Sequence, residues 1–191
     1  QNMIKKLKGF DAERLNLIKT LAVGLTAWIK DGIEGEKRLV AAKRILECFL
    51  AQLAEKRDDT AFKLVLSQLG LKSLPPEIGR LTNLKWLGLC NNQLTSIPPE
   101  IGKLISLEWL HLEYNQLGSL PREIGELTNL TKLDLRGNDL RDLPPEIGKL
   151  INLKELHLEH NQLTSLPPEI GNLIKLECLD LDYNRLTSVP P

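Results

Sequence analysis

A single period governs most of this chain. Asn92, Asn115, Asn138, Asn161 and Asn184 follow one another at steps of 23 residues. The same step joins Leu84, Leu107, Leu130, Leu153 and Leu176, and also Leu89, Leu112, Leu135, Leu158 and Leu181. The shared register is L-x-x-L-x-L-x-x-N-x-L-x-x-[LIV]-P-x-E-I-G-x-L-x-x. A period of 20 to 50 residues is the signature of stacked supersecondary units, none of which can bury its own apolar face. One turn earlier lies a worn copy, Ala61, Leu64, Leu66, Leu69, Leu71 and Leu74, in which Leu69 takes the asparagine's place.

Each position has a physical reading. The x-L-x-L-x segment alternates with period two, so leucines such as Leu87 and Leu89 face inward from a short strand while their neighbours face out. The asparagine after the strand can bond backbone groups of adjoining turns, which is how a buried amide avoids its desolvation cost. Pro98-Pro99 and their equivalents end the strand, and Ile101, Gly102 and Leu104 return the chain with a second inward apolar pair.

These residues resemble the leucine-rich repeat family, in its 23-residue class with the L-P-x-E-I-G signature, over residues 61 to 191. The form is similar to repeats of bacterial leucine-rich-repeat proteins, including effectors and Roco-type GTPases, and of eukaryotic Ras-associated scaffolds. The resemblance implies an α/β solenoid. It would be a right-handed superhelix with a parallel concave sheet and irregular or 3₁₀ turns on its convex side.

All 11 prolines lie from Pro75 onward, which sets residues 1–60 apart. Asp11 to Lys30 and Glu36 to Arg57 show helical spacing of apolar residues. Asp11 marks a start, and Asp31-Gly32 a stop. The expected division is an N-terminal helical hairpin over 1–60, capping the open end of the stack, and a repeat domain over 61–191 with one degenerate and five clear repeats. Lys5, Lys6 and Lys8 offer the alternative of an independent docking module. At the far end Pro190-Pro191 stop inside a coil without a polar cap following. Either the natural protein is longer, or the last coil meets a partner.

Stacking turns the outward strand positions into columns. The third holds Lys63, Trp86, Trp109, Lys132, Glu155 and Cys178; the fifth holds Val65, Gly88, His111, Asp134, His157 and Asp180. The seventh holds Ser67, Cys90, Glu113, Arg136, Glu159 and Asp182, and the eighth holds Gln68, Asn91, Tyr114, Gly137, His160 and Tyr183. Two of three tryptophans, both tyrosines and all three histidines thus share one surface. Trp, Tyr and Arg dominate the energetics of protein interfaces. The expected protein-binding residues are Trp86, Trp109, His111, Tyr114, Lys132, Asp134, Arg136, Glu155, His157 and Tyr183. The competing reading has Trp86 and Trp109 stacked on each other as cover for the sheet.

Asp134, Glu155, Glu159, Asp180 and Asp182 outnumber Lys132 and Arg136 towards the far end, so a partner with a basic segment is expected there. The fifth column alternates imidazole and carboxylate at a strand spacing of about 4.8 Å. It is open to three readings: a His-carboxylate ladder, a pH-sensitive surface, or a metal site using His157 with Asp134 or Asp180. Flat strand surfaces rarely close a coordination sphere, so the ladder is the expectation, with no metal and no other cofactor.

Lys plus Arg and Asp plus Glu both number 25, so no global charge favours nucleic acid or an anionic membrane as a partner. The apolar stretch Leu15 to Ile29 is too short and too interrupted for a membrane span, and no secretory signal is visible. Cys48, Cys90 and Cys178 show no C-x-x-C pairing, and Cys90 and Cys178 lie four coils apart, too far for a disulfide. Free thiols point to a cytoplasmic protein, or to a host cytosol for a bacterial effector. Nucleotide-binding, zinc-protease and nucleophile-elbow motifs are missing, and no catalytic residue is expected. Function is expected to be non-catalytic protein recognition on the concave face. The alternative is the recognition domain of a larger effector or Roco-type enzyme whose catalytic part lies beyond Pro191.

Overall fold

The computed structural model describes residues 10–30, 35–54 and 62–188. Lys5, Lys6, Lys8, the Asp31-Gly32 stop and Pro190-Pro191 lie outside them. Among the described residues two helices, α1 (Ala12–Lys30) and α2 (Gly35–Leu53), precede six three-residue strands. These are β1 (Lys63–Val65), β2 (Trp86–Gly88), β3 (Trp109–His111), β4 (Lys132–Asp134), β5 (Glu155–His157) and β6 (Cys178–Asp180). They form one parallel sheet in chain order, each strand in register with the residue 23 positions on: Lys63 opposite Trp86, Trp86 opposite Trp109, Asp134 opposite His157.

Between strands the chain returns through five-residue 3₁₀ turns, Pro76–Arg80, Pro99–Lys103, Arg122–Glu126, Pro145–Lys149 and Pro168–Asn172. Each follows an extended proline, whose fixed φ suits the entry into the turn and whose missing N–H would have no partner there. The glycine of the E-I-G signature permits close stacking of these turns. A Cβ on Gly125 would stand 2.5 Å from the backbone carbonyl oxygen of Glu146 in the next coil, and one on Gly102 would stand 2.7 Å from that of Glu123. Glycine here brings two backbones together, which any other residue would hold apart.

The leucines fill one continuous core. Leu87, Leu110, Leu133 and Leu156 of the strands and Ile101, Ile124 and Ile147 of the turns are fully buried. The asparagines run along it as a brace. Asn138 Nδ2 donates to the carbonyls of Leu112 and Leu135, in two successive coils, and its Oδ1 accepts from the Leu117 amide. Asn92, Asn115 and Asn161 repeat this pattern with only 6 to 7 % of their surface exposed. Every polar atom of the amide thereby finds backbone groups that the tight turns leave without partners.

The first coil differs because it meets helices. Leu69, at the asparagine position, packs on the apolar core. Asp11 caps α1, its Oδ1 accepting the Arg14 amide at 2.8 Å. Ile18, Leu21, Leu25 and Trp28 of α1 and Ala42, Ile45, Cys48 and Phe49 of α2 continue the solenoid core. Arg44 donates to the Val65 carbonyl at 2.8 Å on the outer edge strand, and Trp28 Nε1 reaches the Ser73 hydroxyl at 3.3 Å. A sheet edge otherwise open to pairing is thus covered. The second helix is described as far as Leu53, and the expected end at Arg57 lies outside the described residues.

Candidate concave recognition surface

The register places the sequence columns side by side on the concave face, but the side chains in them differ in accessibility. Trp109 is 46 % exposed, Tyr114 53 % and Tyr183 75 %. Trp86 is half-buried: its ring lies over Gly88 and meets the His111 ring at 5.2 Å between centroids, with the Lys63 ammonium 4.6 Å from its own centroid. The expected alternative of a Trp86–Trp109 stack is therefore replaced by a Trp86–His111 contact. Gly88 makes it possible by leaving room for the indole to fold down.

The eighth column is held by backbone conformation. Gln68, Asn91, Tyr114, Gly137, His160 and Tyr183 all have φ between 54 and 64°. This left-handed geometry turns the chain away from the strand. It is unusual for an aromatic residue. The Tyr114 ring settles across Gly137, 2.6 Å from where a Cβ would stand, and His160 stacks on Tyr183 at 4.3 Å with an interplanar angle of 4°. An exposed aromatic margin thus borders the sheet.

The charged columns depart from the expected ladder. Asp134 does not bond His111 or His157; it is 1 % exposed and bound by the guanidinium of Arg136, whose Nε lies 2.9 Å from Oδ1 and whose Nη2 reaches Oδ2. A fixed planar fork of donors outcompetes an imidazole, which offers one N–H in any direction, for a buried carboxylate. Asp134 is thus a buried support for Arg136 rather than an exposed side chain. Asp134 and the nearby Glu159 and Glu113 hold the Arg136 guanidinium firmly in its charged form.

The histidines find carboxylates along their own strands instead. His111 Nδ1 is 3.5 Å from Glu113, and His157 Nε2 is 3.3 Å from Glu155. Lys132 Nζ lies 2.6 Å from Glu155 across the strands, and together with His157 it lowers the Glu155 pKa below the usual carboxylate value. Among the expected binding residues, Trp109, Tyr114 and Tyr183 are exposed, Lys132, Arg136 and Glu155 are half-buried within ion pairs, His111 and His157 are half-buried beside carboxylates, and Asp134 is enclosed. Sequence reasoning missed the left-handed column, although glycine at one of its positions, Gly137, is a signal for it.

Cys48, Cys90 and Cys178 are free thiols. Cys48 is buried in the helical cap, and burial pushes its pKa up to about 11. No helix among the described residues is long and apolar enough to cross a membrane.

Comparison with known proteins gives a consistent picture. The family described as "Leucine rich repeat" matches residues 63–117 and 82–140, and that described as "Leucine Rich repeats (2 copies)" matches residues 151–191. No curated protein sequence matches the chain. Among solved structures, YopM from Yersinia enterocolitica is 28 % identical with a TM-score of 0.70, covering 91 % of this chain and 35 % of that one. The ectodomain of the plant membrane receptor kinase GASSHO1/SCHENGEN3 from Arabidopsis thaliana, solved in complex with CASPARIAN STRIP INTEGRITY FACTOR 2, is 44 % identical with a TM-score of 0.60. That match covers 65 % of this chain and 16 % of the receptor chain. The plant peptide hormone receptor RGFR1, in complex with RGF2, is 40 % identical with a TM-score of 0.55, covering 60 % of this chain and 19 % of its own. The chain thus spans well under two thirds of each of these structures. Register, asparagine column and E-I-G turns agree with these matches, and the chain belongs to the leucine-rich repeat proteins, whose fold serves as a protein-interaction module.

Proposed function

We propose that this protein is a non-catalytic recognition module that binds a protein or peptide partner on the concave face of its sheet. The observation that carries this reading is the exposure of Trp109, Tyr114 and Tyr183 on a wall whose packing does not require them. Rigid aromatic side chains offer large contact area at low entropic cost, and their clustering on one face is characteristic of interfaces. The similar plant receptors are described as complexes with CASPARIAN STRIP INTEGRITY FACTOR 2 and RGF2, which supports a peptide or protein as the class of ligand. On the far half of the sheet Glu159, Asp180 and Asp182 exceed the local cations, which favours a basic partner segment over nucleic acid or an anionic membrane.

The test is a Trp109→Ala/Tyr114→Ala chain compared with wild type for partner capture, with circular dichroism as the folding control. Ile105→Ala/Ile151→Ala, at exposed positions beyond the sheet, serves as the surface control. Capture falling at least tenfold in the first chain alone supports the reading; equal capture by all three rejects it. A second reading makes this solenoid the recognition part of a longer signalling or effector protein. The small share of each similar structure that it spans favours that reading. Cytoplasmic placement is proposed on the strength of three free thiols, and fractionation of the natural host with a thiol-trapping reagent tests it.

A further inference from the structure

The concave face carries one square of side chains twice, and the two copies differ at a single corner. The first square is His111 and Glu113 on one coil with Asp134 and Arg136 on the next. Two coils on, the second is His157 and Glu159 with Asp180 and Asp182. Arg136 gives the first square its own fixed cation, seated on Asp134 and 3.5 Å from Glu159. The second square has a fourth carboxylate at that corner instead. Three carboxylates there face one imidazole, and the cation that touches them, Arg136 at Glu159 Oε1, belongs to the first square.

The surrounding contacts prepare the second square to receive one. Lys132 holds Glu155 at 2.6 Å, and Glu155 lies 3.3 Å from His157 Nε2. In the tautomer that donates Nε2–H to Glu155, the lone pair of His157 Nδ1 faces Glu159, whose Oε2 is 4.0 Å away. A carboxylate that orients an imidazole through its remote nitrogen is the arrangement found behind histidines that ligate metals. Arg136 draws on Glu159 Oε1, while Glu159 Oε2 is buried and has no hydrogen-bond partner. Donor atoms of His157, Glu159 and Asp180 all lie within 4.8 Å of one another. Metal–ligand bonds of about 2.0–2.3 Å require donor atoms about 3–4.6 Å apart, so small side-chain rotations close the set.

The geometry points to a divalent transition-metal site formed by His157, Glu159 and Asp180, with Asp182 adding negative charge at its rim, suited to an ion of borderline softness such as Zn²⁺. One imidazole with carboxylates matches that class, whereas an all-oxygen set would suit calcium or magnesium. The objection that a strand surface is too flat is met by depth. The His157 and Glu159 side chains are only 16 % and 13 % exposed.

The site is tested on the full chain in a Cys90→Ser/Cys178→Ser background, which removes the two more accessible thiols as competing ligands. ZnCl₂ is titrated by calorimetry, Co²⁺ by visible absorption, and folding is followed by circular dichroism. One saturable ion per chain is expected, with a rise in Tm on zinc addition. Asp182→Arg gives the second square the guanidinium that the first already has, and it and Asp180→Asn each weaken binding at least tenfold. Glu155→Gln, which alters the contact that orients His157 and the ion pair with Lys132 but removes no proposed ligand, weakens it about 10- to 100-fold and leaves the stoichiometry at one. Absence of saturable binding, or binding unchanged in folded Asp182→Arg and Asp180→Asn chains, overturns the assignment.

Discussion

The inward and outward walls of each coil obey opposite rules. Inward, Leu87, Leu110, Leu133 and Leu156 are the same residue in the same place, and the asparagines repeat the same hydrogen bonds. Outward, the equivalent column reads Trp86, Trp109, Lys132 and Glu155, with no two neighbours alike after the tryptophans. Repetition is what the core demands, because each coil must fit the next. Departure from repetition is what recognition demands, because an identical column would offer one chemistry six times.

The contrast breaks most visibly if the inward wall is cut. Leu133→Ala, at a fully buried position, is expected to cost about 4 kcal/mol by the measured range for such truncations, with a corresponding fall in urea midpoint. Asn138→Ala leaves the Leu117 amide without its acceptor and removes one of the two asparagine donors at each of the Leu112 and Leu135 carbonyls, and about 2 kcal/mol is expected. The same change at the part-exposed Asn184 should cost clearly less in that assay, since water can replace the lost bonds. Gly125→Ala, forced against the Glu146 carbonyl, should lower stability by about 2 kcal/mol in thermal denaturation. By contrast the outward pair Trp109→Ala/Tyr114→Ala should stay within about 0.5 kcal/mol per site of wild type.

The cysteines sharpen the same contrast through pH. Cys48 faces inward, and burial raises its pKa from the ordinary 9.0 to about 11. A raised pKa means the unfolded chain loses the proton first, so this contribution to stability is intact below about pH 9 and fades as pH climbs towards 11. Denaturant titrations between those values should show the decline. At pH 8, iodoacetamide should label the exposed Cys178 well before Cys48, as peptide mapping would show.

The inward wall was legible in the sequence and the outward wall only in part, for a physical reason. Period and alternation specify which residues must be buried, so the sheet register, the asparagine brace and the helical cap followed from spacing. Columns specify which residues are neighbours, but not which neighbour each one chooses. Asp134 had two histidines beside it and took Arg136, two residues along its own strand, because a guanidinium binds a carboxylate in two places. Trp86 folded onto Gly88 and His111 because a glycine left the space. The left-handed column was hidden because Tyr114, His160 and Tyr183 adopt a geometry that their residue types do not advertise.

Hydrogen–deuterium exchange of the chain with and without a captured partner tests the central claim most directly. Binding on the sheet predicts added protection in residues 109–114, 132–137 and 155–160, with the 3₁₀ turns at Pro99–Lys103 and Pro145–Lys149 unchanged. Protection confined to those turns or to the helical cap would contradict it.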